Sequence, residues 1–87
     1  MTYDIEVSEA AKKYLRQISK IDAKKIGKKI DNLVKNPRPQ GVEKLSGEEN
    51  IYRVRSGDYR IIYQIEDKIL HILVLKVGHR KEVYRKL

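Results

Sequence analysis

The sequence predicts an α+β fold: an N-terminal strand, then an antiparallel helical hairpin packed on one face of a four-stranded, mainly antiparallel sheet, then a short C-terminal helix, in the order β-α-α-β-β-β-α. Three observations predict it. Apolar residues alternate with polar ones at the N-terminus and again from Ile51 to Val77, the period of half-buried strands. Residues 8–35 instead carry their apolar residues at helical spacing. Finally, 87 residues of uniform composition leave room for one small domain, residues 1–87, with 40% apolar residues and no cysteine to cross-link it.

Tyr3, Ile5 and Val7 alternate with Asp4 and Glu6, which gives the first strand. Ser8 is placed to cap a helix whose Ala11, Leu15 and Ile18 form an apolar stripe, with Lys12, Arg16 and Lys20 on another. Asp22 is the expected cap of a second helix, with Ala23, Ile26, Ile30, Leu33 and Val34 inward and Lys24, Lys25, Lys28 and Lys29 outward. The short turn between them predicts an antiparallel hairpin, and Asn36-Pro37-Arg38-Pro39 ends it, because proline cannot continue the helical ladder. Residues 40–50 are polar and glycine-bearing and read as a loop. Ile51–Arg55, Tyr59–Glu66 and Ile69–Val77 then form a meander turning at Ser56-Gly57 and Asp67-Lys68. Gly78 breaks the last strand ahead of the terminal helix.

With Ser56-Gly57 as a two-residue loop, Arg55 pairs with Asp58, Val54 with Tyr59, Arg53 with Arg60 and Tyr52 with Ile61. Arg53, Arg55 and Arg60 then share one face, and Tyr52, Val54, Tyr59, Ile61 and Tyr63 share the face that the helices cover. Carried across the next turn, the same register adds Ile62, Leu73 and Leu75 to the arginine face, making it half basic and half apolar. A like-charge pair such as Arg53 opposite Arg60 destabilises a sheet. Either the cluster is an anion site for phosphate, or its arginines fan into water and reach carboxylates such as Asp58 and Glu82.

The charge balance points the same way. Twenty Lys and Arg against 12 Asp and Glu give a formal charge of +8, so polyanions are the expected partners. The absence of cysteine and the presence of only two histidines exclude a structural zinc site, a redox dithiol and a thiol nucleophile. No metal and no cofactor is expected, since neither a ligand cluster nor a phosphate-binding glycine motif occurs. Asp4 and Glu6 stand where a secretory signal would carry Lys or Arg, and Ile69–Val77 is far short of the roughly 20 residues that cross a bilayer. A soluble, cytoplasmic protein is expected. Arg80 and Tyr84, four apart, lie on one face of a helix or a strand alike. Taken alone, Tyr84 also fits an aromatic packed on the sheet edge, His71 a hydrogen-bonded core or edge histidine, and His79 either a structural or a proton-transfer role.

The order of elements, together with Ile51-Tyr52-Arg53-Val54-Arg55-Ser56-Gly57-Asp58-Tyr59-Arg60-Ile61-Ile62-Tyr63 and Val77-Gly78-His79-Arg80-Lys81-Glu82-Val83-Tyr84, resembles the RelE family of the RelE/ParE toxin superfamily over essentially the whole chain. The resemblance implies a single RelE-like toxin domain that enters the ribosomal A site and cuts mRNA there, neutralised by a cognate RelB-like antitoxin. It implies a toxin monomeric alone and oligomeric in the antitoxin complex. The family's basic positions fall on Arg53, Arg55, Arg60 and Arg80, and its C-terminal tyrosine on Tyr84. By the same resemblance Lys12, Arg16, Lys20, Lys24 and Lys28 become a candidate track for ribosomal RNA, although such faces are also simply solvated. Ile62, Leu73 and Leu75 become the candidate antitoxin surface.

One departure matters for the chemistry. The first two basic positions are lysine in well-studied members and arginine in this chain, and arginine does not release its proton. If RNA is cut by its own 2′-hydroxyl, the base is then expected from Tyr84, His79 or the ribosome, while the arginines stabilise the phosphorane. Two other functions remain open on the sequence: a ParE-like inhibitor of DNA gyrase without catalysis, and a basic RNA-binding module without chemistry.

Overall fold

A computed structural model describes residues 2–45, 47 and 49–80. The elements are β1 (Asp4–Val7), α1 (Glu9–Gln17), α2 (Lys20–Leu33), β2 (Glu43–Lys44), β3 (Ile51–Ser56), β4 (Tyr59–Glu66) and β5 (His71–His79). They form one five-stranded sheet in the order β1-β5-β4-β3-β2, antiparallel except for the β1–β5 pair. The expected architecture is present with one addition, since residues expected to be pure loop supply the two-residue edge strand β2. The expected C-terminal helix falls largely on residues 81–87, outside the described residues.

Ser8, between β1 and α1, ties the start of the helix to β5. Its N–H donates to the Val74 carbonyl (2.9 Å), its hydroxyl donates to the Leu75 carbonyl (2.7 Å), and the same oxygen accepts the Ala11 N–H (3.1 Å). That last bond is the helix cap the sequence predicts. At α2 the cap is Ser19 rather than Asp22: the Ser19 hydroxyl accepts the Asp22 N–H at 3.2 Å, so Asp22 sits inside the first turn. An acidic residue there still favours the positive helix end, and the Asp22 carboxylate is left to accept a hydrogen bond from the Tyr59 hydroxyl at 3.1 Å.

Both helices cover the same face of the sheet. Ala11, Ile26, Ile30 and Leu33 pack with Tyr52, Val54, Ile61, Tyr63, Ile65, Ile72, Val74 and Val77 in one buried cluster. Removing these side chains from water is the main stabilising term for a chain with no covalent cross-link. Among the described residues no helix is long and apolar enough to cross a membrane.

The segment after α2 is held by a clasp that nothing in the sequence pattern announced. Arg38 donates two hydrogen bonds to Asp67 (3.2 and 2.8 Å) and a third to the Tyr52 hydroxyl (3.3 Å), with its guanidinium 5.1 Å from the Tyr52 ring centre. The Tyr3 hydroxyl donates to the same carboxylate at 2.6 Å, and Tyr63 donates to the Pro37 carbonyl at 2.6 Å. Hydrogen bonds from Arg38 and Tyr3 hold the Asp67 carboxyl below the usual carboxylate range, whereas burial pushes the Tyr63 phenol up. The clasp fixes the path of the chain from α2 into β2.

Register corrects the sequence reading at both turns and at Gly78. Glu66 pairs with His71, so the second turn is residues 67–70, with a 3-10 turn over Asp67–Ile69, and β5 starts at His71 rather than Ile69. Ser56 pairs with Tyr59, so the hairpin loop is Gly57-Asp58, with Gly57 at φ +61° as a two-residue loop with a leading glycine requires. Arg55 therefore faces Arg60, and Arg53 faces Ile62. The partners move by two residues, an even number, so every side chain keeps its expected face. In β5, Gly78 does not break the strand; it pairs with Arg60, and the strand runs on to His79.

Candidate active site

The face of the sheet away from the helices carries a charge gradient along the strands. Nearest the β3–β4 turn, Arg55 pairs with Arg60 and Arg60 with Gly78; next come Arg53, Ile62 and Lys76; then Gln64, Leu73 and Glu6; and at the far end Glu66, His71 and Asp4. At that acidic end the half-buried His71 has its Nε2 3.3 Å from a carboxylate oxygen of the exposed Glu6, a contact in keeping with a structural histidine.

The basic end opens into a cleft of about 410 Å³ lined by Lys29, Gln40, Gly41, Glu43, Arg53, Val54, Arg55 and Arg60. Among the described residues four cations and one carboxylate line it, which suits a polyanion. Strand pairing places Glu43 and the three arginines, and α2 supplies Lys29. Arg55 is exposed, while Arg60 across from it is only 8% exposed and donates to the Tyr59 carbonyl at 3.3 Å. Arg53 faces Glu43 across the β2–β3 pair, and its guanidinium donates to Glu43 Oε2 at 3.1 Å. Like charges directly opposite destabilise a sheet by roughly 0.2–1 kcal/mol, and Arg55 stands directly opposite Arg60.

The structure brings Arg53, Arg55 and Arg60 together, as the sequence predicts. Arg80 leaves β5 beside them: its N–H donates to the Asp58 carbonyl in the β3–β4 turn at 2.9 Å. Tyr84 lies outside the described residues. His79 is on the other side of the sheet. Because β5 continues through Gly78, His79 pairs with Tyr59 on the helix-covered face; its ring meets Tyr59 edge-on at 6.0 Å and its N–H donates to the Tyr14 hydroxyl at 3.0 Å. It lines a separate cavity of about 350 Å³ with Asp22, Lys25 and Tyr59. The expected union of His79 with the arginines is therefore absent.

Lys12, Arg16, Lys20, Lys24 and Lys28 are exposed on the two helices, and none lines the arginine cleft. Lys12 lies 3.6 Å from the Glu9 carboxylate, an ordinary pair within one helical turn. Of the apolar residues expected on the open face, Ile62 is buried, 1% exposed, because it occupies the central strand with Arg53 and Lys76 on either side. Leu73 is half-buried on that face. Leu75, also half-buried, is the extra residue where the β4–β5 register shifts between Ile62 and Tyr63, so it does not alternate with Leu73 as expected.

Two charged cleft residues escaped the sequence reading. The helical pattern puts Lys29 on the outward face of α2 with its neighbours, and Glu43 lies in a polar, glycine-bearing segment without periodicity. A two-residue strand has no periodicity to detect. The only available signal was the run of Gln40-Gly41 and Glu43 ahead of the arginine motif.

Residues 5–84 match the family described as the ParE toxin of type II toxin–antitoxin systems. The mRNA interferase toxin RelE of Escherichia coli is 32% identical over 88 residues, covering 97% of this chain and 92% of that protein. Among solved structures, the archaeal RelE–RelB complex from Pyrococcus horikoshii superposes with a TM-score of 0.82 at 33% identity, covering 92% of this chain and 97% of that one. The intact E. coli RelBE toxin–antitoxin complex gives 0.75 at 29% identity, covering 88% and 95%. With its helical pair on one face of the sheet and its arginines on the other, the chain belongs to the RelE family of the RelE/ParE superfamily of type II toxins.

Proposed function

We propose that this chain is the toxin of a type II toxin–antitoxin pair: a metal-independent mRNA endonuclease that works on the ribosome, cuts mRNA in the A site and so inhibits translation. The observation that carries the reading is the Arg55–Arg60 cross-strand pair in a cleft that adds Arg53 and Lys29. Strand cleavage by a 2′-hydroxyl passes through a phosphorane with extra negative charge on its equatorial oxygens. Planar guanidinium forks held by a rigid sheet bind such oxygens in pairs, and each well-aimed donor lowers the barrier by roughly 3 kcal/mol. Arg80 enters the same end of the sheet, and Tyr84 joins the set by family resemblance. The similarity to the E. coli mRNA interferase over nearly the full length of both chains supports the same reaction.

The partners follow from the same relatives. A cognate RelB-like antitoxin neutralises the toxin, as the RelE–RelB complexes support, and Leu73 offers it apolar surface on the open face, with the half-buried Leu75 at the register shift beside it. The toxin alone is a monomer formed by one domain, residues 1–87, and acts in the cytoplasm, where ribosomes and mRNA are. Lys12, Arg16, Lys20, Lys24 and Lys28 form a cationic surface for ribosomal RNA on the helical side.

The ParE description of the matching family keeps a gyrase-directed reading as the alternative. Two assays on the purified protein separate them. Addition to a cell-free translation extract is expected to cut ribosome-bound mRNA, with gyrase supercoiling unaffected. Inhibited supercoiling with intact mRNA assigns the chain to the gyrase-directed class.

A further inference from the structure

Arginine can stabilise a phosphorane but cannot take the proton of the attacking 2′-hydroxyl. The cleft must therefore contain or receive another group to do so. His79 lies across the sheet on the helix-covered face. Among the described residues that line the cleft, Glu43 supplies the one carboxylate.

We propose that Glu43 is the general base of the RNA cleavage, an inference that rests on the endonuclease reading. Three features of its position support the role. Glu43 pairs with Arg53 in the β2–β3 register, one same-face step along β3 from the Arg55–Arg60 pair, which is roughly 7 Å for two strand residues. Side chains reaching in from both rungs flank the space that a scissile phosphate and its neighbouring ribose would fill. Arg53 holds Oε2 at 3.1 Å and so orients the carboxylate, and among the described residues Oε1 takes no hydrogen bond. A base fixed by a third group, with one oxygen open, is the usual arrangement for activating a hydroxyl. Glu43 is also 65% exposed while Arg53 is 16% exposed, so the carboxylate is the accessible member of the pair.

In the proposed step the 2′-hydroxyl proton passes to Glu43 Oε1 as the 2′-oxygen bonds to phosphorus. The phosphorus–5′-oxygen bond then breaks, leaving a 2′,3′-cyclic phosphate. The departing 5′-oxygen takes a proton from water, and Glu43 returns its proton to solvent.

Electrostatics gives the test a sign. A carboxylate in a cationic cleft repels phosphate, so if Glu43 served only to tie β2 to β3, Glu43→Gln would bind RNA as well or better and cleave at an equal or greater rate. A general base gives the opposite result. Single-turnover cleavage on mRNA-programmed ribosomes is expected to fall at least about a hundredfold in Glu43→Gln with ribosome affinity and melting temperature retained, and to recover in part in Glu43→Asp. Acetate added to Glu43→Ala is expected to restore cleavage in proportion to its concentration, a rescue no fold-stabilising role provides. Wild-type rates in Glu43→Gln, or a defect in Glu43→Ala that acetate leaves untouched, overturn the assignment and move the base to Tyr84. If Glu43→Gln fails to fold, the acetate and Asp arms decide. Failure of the wild-type protein to cut mRNA instead removes the endonuclease reading itself.

Discussion

Strands β3 and β4 present two faces built from alternating residues of the same segments. Tyr52, Val54, Ile61 and Tyr63 lie under the helices, 9, 2, 0 and 0% exposed, and carry the packing. Arg53, Arg55 and Arg60 occupy the intervening positions and set like charges side by side. One face obeys every rule of sheet stability and the other breaks the cross-strand charge rule. Where the local rules fail within an otherwise consistent fold, function is the usual reason.

That contrast can be broken from either side. The largest effect is expected on the covered face: Ile61→Ala opens a cavity in the central strand and lowers stability by about 2–5 kcal/mol in urea unfolding, while cleavage by the folded protein, measured well below its melting point, is unchanged. On the open face the effect falls on the reaction. Arg60→Ala and Arg80→Ala are each expected to slow single-turnover mRNA cleavage at least about tenfold, equivalent to about 1.4 kcal/mol of transition-state stabilisation. Wild-type rates in either well-folded variant remove that arginine from the site.

The smallest effect belongs to the Arg38–Asp67 clasp, which serves neither face directly. Asp67 has a folded pKa below its unfolded value, so its contribution is present above the unfolded pKa and is lost as pH falls through the folded one. Melting followed on acidification below about pH 4 is expected to show a shallower decline in Asp67→Asn than in the wild type. Because the pair is half exposed, the difference is small and shrinks in high salt. Parallel curves assign the acid sensitivity to other carboxylates.

The two faces also differ in how the sequence revealed them. Period two made Tyr59–Glu66 legible to its ends and sorted arginines from tyrosines, and the sorting survived a wrong turn assignment because the partners shifted by two. A shift of one would have inverted it. The exact pairing was not legible, since Ser56-Gly57 and Gly57-Asp58 are both acceptable turn pairs and only the backbone chooses. Ser19 and Asp22 are likewise both good caps, three residues apart. Gly78 looked like a breaker, although a glycine opposite Arg60 inside a strand serves as well. Glu43 and Arg38 were hidden because each acts through a partner distant in sequence, and Lys29 because the cleft it lines exists only in the folded chain; no local pattern encodes either.

Arg55 tests the central claim most directly, because it is exposed and its charge is set against Arg60. Replacing it with glutamine relieves that repulsion and removes one phosphate-binding fork. Unfolding and single-turnover mRNA cleavage measured on the same preparation of Arg55→Gln are expected to move apart, with stability equal or higher by up to about 1 kcal/mol and cleavage at least about tenfold slower. Lower stability with wild-type cleavage would contradict the account, returning the arginine face to a structural role.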